Sequence, residues 1–250
     1  MSLPDIPTLT LVVILVAFII GGMVKGALGG GLPAVGLPIL VLQLEPAQAV
    51  VLFVAPVILS NIWQIKQAGQ SLPAVKRFWP FLVTLVIGVW IGAGALTSLD
   101  PKTIALALGC LVIVTTLAQV FIREVKALKG RSGFINPFAG AAIGLCGGAT
   151  GGFTPVIVYF AALRLPKDLF VAQMAIAAMT GSIPLYLRLV AEDHLSWTQL
   201  GASFLALIPT GVGLIIGFWI RDRISEETFR RAVLVGLVLL GGGLIWRGLS

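Results

Sequence analysis

Ten apolar runs follow one another along the chain, at residues 8–25, 33–44, 47–66, 78–98, 102–122, 134–147, 155–164, 168–190, 197–220 and 226–247, and charge collects in the gaps between them. About 20 such residues cross a bilayer as a helix, the only open-chain structure that satisfies its own backbone in lipid. Apolar residues form 58% of the chain and charged residues 11%, with a mean hydropathy of +1.05. A water-soluble core of 250 residues cannot hide that much apolar surface. The expectation is an all-α polytopic membrane protein. The run from Thr8 follows "MSLPDIPT", which lacks the basic stretch of a secretory signal, so it is expected to stay in the mature fold. The net charge of +7 comes from Lys and Arg in the connections, where they set orientation, and predicts no nucleic-acid partner. Cys110 and Cys146 fall inside apolar runs and are expected as small core residues, and His194 is the only histidine. No disulfide, metal site or cofactor is expected.

The chain repeats itself. "GMVKGALGGGLP" at 22–33 aligns without a gap on "GLCGGATGGFTP" at 144–155, sharing Gly22, Gly26, Gly29, Gly30 and Pro33 with Gly144, Gly148, Gly151, Gly152 and Pro155. Further on, "GVWIG" at 88–92 matches "GLIIG" at 213–217. The basic stretch "REVKALKGRSG" separates the copies, which gives a first repeat at 1–122, a linker at 123–133 and a second repeat at 134–250.

Counted over alternate connections, thirteen Lys and Arg residues face three, with Lys25 assigned to neither side. The positive-inside rule then puts the thirteen in the cytoplasm, residues 123–131 among them, and both termini outside. The basic connection after the third segment of the first half becomes cytoplasmic, while its counterpart "AEDH" at 191–194 becomes external. The fold class expected is two inverted-topology repeats, each a glycine-rich broken or re-entrant helix pair followed by three spanning helices. Secondary transporters built this way bind at the midplane between the repeats.

If the first helix stops at Gly22 it is about 22 Å long, short of a ~30 Å hydrocarbon core, and the glycine turn lies within the membrane. Clustered glycines bare amide N–H groups, and a proline in the next helix's first turn forgoes no hydrogen bond. Each turn would aim a positive helix start at an anion. The expected binding residues are Gly26, Gly29, Gly30, Gly31, Gly148, Thr150, Gly151, Gly152 and Thr154, with Asn61 and Ser182 donating from facing segments and Lys25 at the wall. Two alternatives stay open: GxxxG spacing also serves close helix packing, and Lys25 at the end of a full span would snorkel to the cytoplasmic surface. The glycines at 88/92 and 213/217 are assigned to packing, and Thr115, Thr116 and Gln119 to packing or bonding within their own helix.

Paired glycine and proline motifs of the "GALGGGLP" and "GATGGFTP" kind, spread over eight or more apolar segments in two halves, resemble the sulfite exporter TauE/SafE family. The resemblance implies a permease of the bacterial inner membrane, exporting small sulfur-containing or organic anions such as sulfite or sulfoacetate, with the lipid bilayer as its setting and a homodimer as a candidate assembly. An enzyme is disfavoured: there is no HExxH or GxSxG motif, and no paired acid or histidine within a span. An anion channel and a non-transporting assembly factor are the competing readings.

Overall fold

The structure, a computed structural model, describes residues 7–121 and 132–250. Nearly all of the expected linker, 123–133, and the whole segment 123–131 assigned to the cytoplasm lie outside these residues. Among the described residues the chain is all-helical, and seven stretches are long and apolar enough to cross a membrane. The first half comprises α1 (Thr8–Leu28), α2 (Leu32–Val41), α3 (Pro46–Val51), α4 (Val54–Ala68), α5 (Ser71–Ser98) and α6 (Pro101–Phe121). The second comprises α7 (Ser132–Thr150), α8 (Thr154–Ala162), α9 (Lys167–Ala191), α10 (Trp197–Leu205), α11 (Leu207–Arg221) and α12 (Glu226–Leu249).

The breaks between paired short helices have a common cause. Pro56 cannot donate to the carbonyl four residues back and its ring crowds that group, so the helix breaks at Leu52–Phe53. Ser203 of α10 repairs the damage: its hydroxyl donates to Leu52 O at 3.1 Å and accepts from Ala55 N at 2.8 Å. Pro209 stands in the same relation to Leu205, where α10 gives way to α11. In α5, non-helical angles at Phe78 mark a kink two residues before Pro80. The helix therefore starts seven residues ahead of the expected run at 78, and the sequence reading caught the kink instead of the start.

Glycines dictate how the helices meet. α1 packs on α11, α7 on α5, α6 on α12, and α9 on both α4 and α5. A Cβ built on Gly22 would stand 3.1 Å from the Gly213 Cα, and one on Gly26 3.2 Å from the Gly217 Cα. Gly144 meets Gly88 likewise at 3.1 Å, and a Cβ on Gly148 would lie 2.8 Å from Ala93 N. Small residues let the backbones touch, which is how helices associate where lipid removes the hydrophobic driving force. Each half thus docks its first helix on the other half's glycine pair.

Two expectations need correction here. α1 does not stop at Gly22 but continues through Gly26 to Leu28, 21 residues or about 31 Å, enough to span. Its glycines sit in a helix contact, so they do not break it. Cys110 and Cys146 are exposed on the outside of the bundle, not buried in its core. They share that outer surface with apolar side chains such as Ile91, Val114 and Leu239, and with Trp197 and Trp246 near helix ends, as a lipid-facing belt requires.

Candidate functional site

Both glycine motifs fold into the same kind of turn. After α1, Gly29 adopts φ +78° and its N–H closes the helix on Lys25 O at 2.9 Å; Gly31, at φ +95°, is the residue before α2. After α7, Gly151 adopts φ +71° and donates to Gly147 O at 2.8 Å, and Phe153 precedes α8. Left-handed angles of this kind cost any side chain with a Cβ, so glycine is required at these positions. Pro33 and Pro155 follow in the first turn of α2 and α8, where no donor is missed.

These bonds decide which amides remain for a ligand. Gly29 and Gly151 use theirs to end helices, and Gly152 N donates to Thr150 Oγ1 at 3.1 Å. Thr150, itself bonded to Cys146 O at 2.8 Å, serves its own turn. The amides of Gly30, Gly31 and Leu32 find no acceptor among the described residues.

A cavity of about 410 Å³ lies against the first turn. Its wall includes Gly29, Gly30 and Gly31 from the first motif, Thr154 from the second, and Gln119, Arg164 and Arg230. Thr154 is buried and receives a hydrogen bond from the Thr115 hydroxyl at 3.2 Å, whereas Arg164 is exposed. The cavity's wall thus reaches from buried Thr154 to exposed Arg164. Arg164 holds φ +46°, a left-handed conformation that glycine adopts freely and other residues at a cost of about 1 kcal/mol or more. An arginine kept at such a position beside a cavity points to a use for its side chain. Arg230 donates to Glu227 at 3.3 Å and to Gln119 O at 3.5 Å, and its Nε is buried with no acceptor among the described residues.

The other expected residues divide three ways. Lys25, 7% exposed, donates to Asn61 Oδ1 at 2.5 Å, so these two pair with each other beneath the cavity's first turn. Gln64, one helical turn on from Asn61, donates to Gly29 O and ties that pair's helix to the turn itself. Ser182 and Gly151 line a second space of only about 10 Å³ with Pro33, Phe53 and Phe153. Gly26 and Gly148 lie in helix contacts, and neither lines either of these two spaces.

Arg164, Arg230 and Gln119 escaped the sequence reading, the arginines because they counted only toward orientation. A signal existed: Arg230 shares one helical face with Val233, Leu234 and Leu237, an apolar stripe that a solvent-facing arginine would not join.

The described residues form a multi-pass helical bundle whose cavity draws its wall from both halves. Residues 13–244 match the family model described as Sulfite exporter TauE/SafE, and the chain belongs to that family of transporters. None of the curated proteins and none of the solved structures compared with the chain matches it.

Proposed function

We propose that the chain carries small organic or sulfur-containing anions across the membrane, as the notion of a sulfite exporter suggests, and that the 410 Å³ cavity is the anion site. One observation carries the reading: Gly30 and Gly31 of one motif and Thr154 of the other border the same cavity as Arg164 and Arg230. Unpaired amides at a helix start, a hydroxyl and two guanidinium groups, that of Arg230 shared with Glu227, make a set of donors suited to an oxyanion. Lys25, buried against a neutral asparagine, adds positive potential a turn away.

Support for inverted repeats comes from the reciprocal docking of α1 on α11 and of α7 on α5, the pattern a two-fold axis between halves would generate. α2 and α8, about 15 and 13 Å long, are each too short to cross a ~30 Å hydrocarbon core, which fits one incomplete span in each half. With the termini outside, an exported anion moves down the membrane potential by about 2.3 kcal/mol per charge per 100 mV and needs no intramembrane acid for coupling.

Counterflow in proteoliposomes tests the proposal. Vesicles preloaded with unlabelled sulfite should take up labelled sulfite faster than empty ones, because a carrier exchanges through one alternating site. Uptake without such acceleration would mean a channel, and no uptake of any small anion would favour an assembly factor.

A further inference from the structure

The cavity is large and mostly apolar for a bare oxyanion. Its 410 Å³ lies within the ~300–1,000 Å³ typical of sites for whole organic ligands, whereas a water molecule claims about 30 Å³ and a four-atom oxyanion only a few times that. Beside Gly30, Gly31, Thr154 and Arg164, the wall is built from Leu28, Ile157, Phe170, Met174, Leu234 and Leu237, and Met174 lies next to Gly30. Ten residues of chain separate Thr154 from Arg164, about 15 Å if wholly helical. An ion the size of sulfite would touch one end of this space and leave the rest to water against hydrocarbon, which gains nothing. Flexible Met174 and the aromatic Phe170 suit a variable apolar partner.

We propose that the ligand of this cavity is an organic anion with an apolar body of several carbons, its acidic group at the Gly30, Gly31 and Thr154 end and its body along the α8, α9 and α12 wall. The idea rests on the anion-site reading above and narrows it to a class of substrate. Arg164 at the exposed rim and Arg230 in the wall attract the anion and select against cations of the same shape. Body length then sets affinity, because each methylene leaves water for the wall.

Binding of sodium alkanesulfonates from methyl to dodecyl, measured calorimetrically on the protein in nanodiscs, tests this. Affinity should rise about fourfold per methylene and level off before the dodecyl compound, once the body outgrows the ~15 Å wall. Hexanol and hexyltrimethylammonium should bind at least tenfold more weakly than hexanesulfonate. Ala161→Leu, which narrows the wall, should weaken hexanesulfonate at least tenfold and leave methanesulfonate within twofold. Leu234→Ala, which widens it, should move the optimum to longer chains. If sulfite and methanesulfonate bind but hexanesulfonate does not, the apolar-body proposal falls and the anion site stands. If no sulfonate and no sulfite binds, the anion site falls with it. A rise continuing to dodecyl, with phospholipid competing, would assign the wall to a lipid chain and overturn the proposal.

Discussion

At the Gly29–Gly31 turn the chain borders an open cavity of about 410 Å³, while the aligned Gly151–Phe153 turn borders one of about 10 Å³. Both turns open on a left-handed glycine, at 29 and 151, but Gly31 is left-handed at φ +95° where Phe153 holds φ −97°, so the contrast lies in backbone and side chains together. Lys25 aligns with Gly147, and Gly31 with Phe153. In the first half Lys25 reaches Asn61; in the second, where Gly147 and Gly181 offer no side chains, the Phe153 ring fills the place, and a Cβ on either glycine would come within 2.5 or 2.6 Å of it. One copy of the motif sets a buried lysine behind an open space, and the other supplies a ring that closes its own. Two exchanges, Lys25 for Gly147 and Gly31 for Phe153, separate the two copies here.

Removing the ring should have the largest effect. Phe153→Ala empties the space between Gly147 and Gly181, and thermal unfolding of the purified protein should show a loss of about 2–4 kcal/mol. A loss under ~1 kcal/mol would mean the ring does not seal the second turn.

Lys25→Met comes next. It should weaken sulfite or sulfonate binding by about 1–3 kcal/mol at fixed ionic strength, the range for a contact assisted by charge. A dissociation constant unchanged within twofold would remove Lys25 from the site and leave the Gly30 and Gly31 amides as its basis.

Alanine at the paired glycines separates binding from packing. A Cβ on Gly152 would lie 2.8 Å from Leu108 Cδ1, so Gly152→Ala should destabilise by about 1–2 kcal/mol. A Cβ on Gly30 meets nothing nearer than Met174 Cε at 3.9 Å, so Gly30→Ala should leave stability within about 0.5 kcal/mol and weaken anion binding, since the methyl enters the cavity. Equal stability losses at both sites would erase the distinction between the turns.

The smallest effect lies at the end of α9, the helix that carries Gly181 and Ser182 to the sealed turn. A hydrogen bond from Thr97 and the Arg188 guanidinium hold the Glu192 carboxyl below the usual carboxylate range, and Arg188 also lies 5.6 Å over the Trp90 ring. A lowered pKa contributes stability that is present above the ordinary carboxylate value and is lost as pH falls through the lowered one. Glu192→Gln should therefore cost at most about 1 kcal/mol at neutral pH, and its unfolding temperature should converge with wild type in acid. A difference that persists at low pH would assign the effect to packing.

Much of this was legible beforehand. The helix positions followed from apolar runs, and the left-handed turns from GxxG and GG placed before a proline, because few other residues suit those angles. The sequence could not say that Gly26 and Gly148 face helices while Gly30 faces a cavity. All are glycines in one motif, and the difference depends on which backbone lies opposite. The length of α1 was misjudged for the same reason, since a glycine in a tight helix contact is held helical by its neighbour. Arg164 was visible as a charge but not as a strained residue, because strain needs the backbone angle.

The interlocking of glycine pairs also bears on how the chain comes to be built. α1 leaves the ribosome first, yet its partner surface on α11, at Gly213 and Gly217, is made nearly two hundred residues later. α6 likewise waits for α12. Until then the small-residue face of α1 has no backbone to meet, and the first half sits in the membrane as a set of spans without its closing contacts. Such non-local pairing makes assembly slow and late, and neither half is complete before the other exists. The turn at Gly29–Gly31, poised on the end of α1, gains its final position only after α11 has been made.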